Sequence, residues 1–194
     1  MFNLKMRHCA VILGALAIFL ISLSPGWAIE DDFGAGQKVE SKYFTIYYSP
    51  QLDPASFAQQ LNIQPADEFL ARGSINRNNP GSTEFAAMLD TLFLRVCSIL
   101  DMPLYSFQGN LKICQDQQQL NRIYNSLFER SLENQKSFYV SSLNTIYICA
   151  PNMSREVLGH EIGHAIISRY FVVQPPIKAA EVLAGYVEYQ LRKQ

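Results

Sequence analysis

Histidine is scarce in this chain, with three among 194 residues, and cysteine nearly so, with four. Charged residues make up only 17 % and almost cancel, leaving a formal net charge of -1. No basic face and no long run of one sign is present, which argues against nucleic acid as a main partner. No cysteine pair has zinc-ribbon spacing, and neither an internal repeat nor a low-complexity tract appears. What remains is 48 % hydrophobic, enough for one compact domain with a sizeable core.

The first residues read as an address rather than as part of that domain. Lys5, Arg7 and His8 precede an apolar run over 9–23, and Ser24, Pro25, Gly26, Trp27 and Ala28 then supply a breaker and small residues. This order predicts a signal peptide over 1–28, a loose leader over 29–40 and a folded domain over 41–194. The protein is then exported, to the periplasm or the extracellular space, with no membrane attachment after cleavage. The apolar run is short for a bilayer span, so an uncleaved N-terminal anchor is the competing reading. Export would leave Cys97, Cys114 and Cys149 in a compartment that permits disulfides. Cys114 and Cys149 both end strand-like segments and could bridge if those strands are neighbours, whereas Cys97 reads as a buried thiol.

Aromatic and β-branched residues predict strands over 41–48, 111–114, 137–140 and 144–149, the last two forming a hairpin. Helices are expected over 54–61, after Asp53 and Pro54, and over 83–100, with Ser82 as cap. Others are expected from Asp116 to about 132, from a cap at Asn152 or Ser154 to about 171, and over 177–191. Residues 73–81, rich in Asn and Gly, read as a loop. The order predicts an α+β domain with a small, mainly antiparallel sheet packed against the last two helices.

The next-to-last helix contains His160-Glu161-Ile162-Gly163-His164. Residues four apart share a helix face, so His160 and His164 can aim at one zinc ion while Glu161 stands beside it as a base. Two histidines flanking a carboxylate on an apolar helix are costly to bury without a common partner. A catalytic zinc normally takes three protein ligands. The third histidine, His8, lies in the leader and no aspartate follows His164, so the simple remaining ligands are Glu181 and Glu188.

The segment Ala180-Glu181-Val182-Leu183-Ala184-Gly185-Tyr186-Val187-Glu188 resembles the N-E-G-F-A-x-Y-x-E stretch of the gluzincins, the zinc peptidases of thermolysin and aminopeptidase type. It shares both glutamates, the alanine and the tyrosine, and lacks the asparagine and the Gly-Phe pair. The chain is also similar to the small peptidase-MA-like domains, or minigluzincins, over about 41–191, with the specific motifs in the last 40 residues or so. The resemblance implies one Zn2+ ion held by His160, His164 and Glu181. It implies a peptide or protein substrate hydrolysed through a zinc-bound water, with Glu161 as general base. Glu188 and Glu156 are candidates for supporting contacts to the ligands. The oxyanion donor is open among Tyr139, Tyr147, Tyr170 and Tyr186. Substrate is expected to add as a strand along 144–149 or its hairpin partner. The rival reading is a catalytically inactive zincin-scaffold binding module in the periplasm or at the cell surface.

Overall fold

The computed structural model describes residues 31–65, 80–132 and 134–194. The expected signal peptide and all but the last two residues of the 73–81 loop lie outside them. Among the described residues, β1 (Gln37–Glu40) and β2 (Phe44–Tyr48) lead into α1 (Pro54–Leu61) and α2 (Pro80–Leu100). There follow β3 (Gly109–Cys114), α3 (Gln117–Phe128), β4 (Ser137–Val140), β5 (Thr145–Cys149), a short 3-10 turn (Ala150–Asn152), α4 (Arg155–Tyr170) and α5 (Ile177–Arg192). The class is α+β, as expected. No helix among these residues is long and apolar enough to cross a membrane.

The strand order is β1-β2-β3-β5-β4. β2, β3 and β5 run parallel, while β1 and β4 join the two sides antiparallel. The sheet is therefore mixed, not mainly antiparallel. The physical reason lies in the connections. The chain leaves β2 and returns through α1 and α2, and leaves β3 and returns to β5 through α3 and β4, and crossovers of that length produce parallel neighbours. A strand buried on both faces gives a continuous apolar run, and every residue of β5, Thr-Ile-Tyr-Ile-Cys, is buried. Residues 37–40, expected as loose leader, pair with β2 through the register Val39↔Ile46. β5 has neighbours on both sides, so among the described residues the free edge beside the last helices belongs to β4.

Two apolar layers cover the sheet. Ile46, Leu111, Ile113, Ile146 and Ile148 face α1, α2 and α4 within the larger core, where Leu158, Ile162 and Ile166 of α4 are fully buried. On the opposite face Cys114, Tyr147, Cys149 and Phe138 meet Leu120 and Ile123 of α3 and Phe33. Asp31 anchors that second layer by pairing with Lys112 and accepting from the Tyr147 hydroxyl, and Gln119 Nε2 donates to the Phe33 carbonyl at 3.0 Å. Cys114 and Cys149 are register partners on adjacent strands, as a bridge would need, but both are free thiols, and so is Cys97. Two helix ends also differ from expectation. α2 begins at Pro80, whose fixed φ suits the first helical turn, so Ser82 lies inside the helix. α3 stops at Phe128 because Glu129 takes a left-handed conformation with φ 53°.

Candidate metal centre

α4 starts where Ser154 caps it, the side-chain oxygen accepting from the Val157 amide at 3.2 Å. From that start, His160 and His164 share the face turned toward α5. Their Nε2 atoms lie 3.1 Å apart, a distance at which one neutral ring donates to the other. α5 brings Glu181 to the same point, with Oε1 3.5 Å from His164 Nε2 and Oε2 3.7 Å from His160 Nε2. One ligand atom from each of the three residues lies within 4.8 Å of the others.

Gly159 lets α5 approach this closely, since a Cβ there would stand 2.2 Å from Leu191 Cδ1, whereas one on Gly163 would make ordinary contact with Ala184 Cα at 3.5 Å. The pair is four residues apart and so forms a groove on the helix side, into which Ala184, Val187 and Leu191 pack. The motif spacing alone gave the histidines. The glycine groove that delivers the glutamates was legible as Gly-x-x-x-Gly, yet sequence reasoning passed over it.

The remaining candidates separate clearly. Glu188 Oε2 lies 3.7 Å from His160 Nδ1, and its Oε1 accepts from Arg192 Nη2 at 2.5 Å. Among the described residues His160 Nδ1 is buried and has no hydrogen-bond partner, and Glu188 is the carboxylate that faces it. Glu156 is engaged by its neighbour Arg155 at 2.9 Å and does not line the cleft. Tyr139 lines the cleft, with its hydroxyl on Asn144 Oδ1 at 2.9 Å. Tyr147 points to the other face of the sheet, toward Asp31, and Tyr170 and Tyr186 are exposed outside the cleft. Geometry thus leaves Tyr139 as the one of the four at the site.

Glu161 is only 5 % exposed, and its Oε1 accepts from Ser137 Oγ at 2.7 Å. Burial pushes its carboxyl up to about 7; the Ser137 bond opposes that rise and the charge of Glu181 adds to it. The His164 imidazole is held below its usual value, first by burial and then by His160, against the pull of Glu181. Sequence reasoning did not find Ser137, since nothing in a strand's first residue announces a contact with a helix 24 positions away.

These groups line an open cleft of about 600 Å3 between β4 and α5, with Val157, Ile167, Pro175 and Ile177 as apolar walls. Two imidazoles and a carboxylate form a donor set that suits a zinc-type ion, and Glu188 Oε2, 3.7 Å from His160 Nδ1, is a carboxylate within a small shift of that ring's other nitrogen. No family model, curated protein or solved structure matches this chain.

Proposed function

We propose that this protein is a zinc-dependent peptidase of gluzincin type, built as a small peptidase-MA-like domain around the α4–α5 pair. The observation that carries the reading is the convergence of His160, His164 and Glu181, from two separate helices, within 4.8 Å on the wall of an open cleft. In it, His160, His164 and Glu181 hold one Zn2+ ion, with Glu188 orienting His160 through Nδ1. Bound there, zinc supplies Lewis acidity toward a carbonyl oxygen and lowers the pKa of water. Glu161 is not a ligand and does the proton work: its buried carboxyl accepts a proton from water and delivers it to the leaving amine.

An intact Glu161 supports the catalytic reading over an inactive binding scaffold, since a purely structural zinc site has no use for a base in that position. The free edge of β4 supports an extended peptide substrate, held by main-chain hydrogen bonds beside the cleft. The basic, apolar and small-residue order of residues 5–28 supports export to the periplasm or the extracellular space.

Metal content of the purified protein, measured by elemental analysis at neutral pH beside Glu181→Ala, tests the core of this reading. About one zinc per chain is expected in the wild type, with a sharp loss of affinity in the variant. No zinc in a metal-replete wild type would remove the peptidase reading altogether.

A further inference from the structure

Ser137 opens the edge strand, and two facts fix what it presents on each side. The Cys149 amide donates to the Lys136 carbonyl at 3.0 Å, and the register pairs Ser137 with Ile148. In an antiparallel ladder hydrogen-bonded and non-hydrogen-bonded pairs alternate, so Phe138 and Val140 turn their main-chain groups to β5. Ser137 and Tyr139 therefore direct theirs to the free edge. Side chains alternate as well. Phe138 enters the core under α3, while the buried Ser137 points the other way and gives its hydroxyl to Glu161 Oε1 at 2.7 Å.

We propose that Ser137 is a positioning residue that ties docking of a peptide on the free edge of β4 to the orientation of the base, Glu161. The proposal rests on the peptidase reading above and deepens it. The same residue offers its backbone to the incoming chain and its hydroxyl to the carboxylate. With Oε1 held, the proton-accepting lone pairs are those of Oε2. The Ser137 hydroxyl is the hydrogen-bond donor to Oε1 among the described residues, so its removal frees the carboxylate to turn about its last bond. Backbone pairing does not depend on the side chain, so binding and turnover should separate.

The experiment uses the full chain loaded with zinc, a quenched-fluorescent peptide library as substrate, and the variants Ser137→Ala and Ser137→Thr. Ser137→Ala is expected to keep zinc affinity and KM within about twofold while kcat falls about tenfold to a hundredfold. Threonine keeps the hydroxyl and suits a strand, so Ser137→Thr should recover most of kcat. In metal-free protein, urea unfolding should show Ser137→Ala destabilising the wild type but not a Glu161→Ala background. An active wild type matched by Ser137→Ala overturns the proposal, as does a loss that threonine does not restore or that follows weakened zinc binding. Additive effects in the unfolding cycle overturn it without reference to activity. A zinc-loaded wild type that cleaves no peptide instead overturns the peptidase reading, and this role falls with it.

Discussion

At the scale of single residues, the proposed peptidase would divide its labour among three carboxylates that differ mainly in exposure. Glu161 is buried with one hydroxyl for company, Glu188 is drawn between Arg192 and the orphaned His160 nitrogen, and Glu181 is more than half exposed, its side chain reaching both imidazoles from the cleft mouth. Substitution should separate these roles. Glu161→Gln preserves size and still accepts from Ser137, but it cannot take a proton. Zinc affinity should stay within about threefold while peptide hydrolysis falls about a hundredfold or more. Calorimetric zinc titration beside a turnover assay checks this, and comparable turnover by a zinc-loaded variant would remove Glu161 from the reaction. The histidines and Glu161 were legible because helical spacing is local. Ser137 was not, because its contact depends on how β4 lies against α4, and that is fixed by the whole sheet.

At the scale of elements, the decisive contact is the one between α4 and α5. Gly159 and Gly185 make opposite predictions about it. A methyl on Gly185 meets nothing within 4 Å, so Gly185→Ala gains helix propensity without a clash and should stabilise by about 1 kcal/mol. A methyl on Gly159 drives into the fully buried Leu191, and overpacking of this kind costs about 1–3 kcal/mol, more than the propensity gained. Gly159→Ala should therefore melt lower and also bind zinc more weakly, because Leu191 shares its helix with Glu181 and Glu188. Thermal melts and a chelator competition assay measure both. A Gly159 variant that melts at or above the wild type would refute the packing account. Most helices were legible from caps and periodicity. The direction of the central strands was not, since strand residues carry no mark of parallel pairing beyond the apolar run of β5.

At the scale of the whole molecule, the segment before β1 is fastened to the sheet by charge. Burial alone would raise the Asp31 carboxyl, but the Lys112 ion pair, the Tyr147 hydroxyl and the Phe33 amide outweigh it and hold the group below its ordinary value. The folded state thus binds fewer protons here than the unfolded chain. The stability that results is fully present above the unfolded value of 3.8 and is lost as pH falls through the lower folded value. The melting temperature of the wild type should exceed that of Asp31→Asn at about pH 6, and the gap should close toward about pH 2. A gap independent of acidity would mean that the carboxylate contributes nothing. The sheet's two margins differ in a way that bears on handling the protein. β1 carries the charged pair Lys38 and Glu40, 2.7 Å apart, whereas the facing margin of β4 reads Ser-Phe-Tyr-Val with no charge at all. An uncharged edge strand is a template for pairing with another copy's edge, so concentrated stocks are expected to join edge to edge at β4.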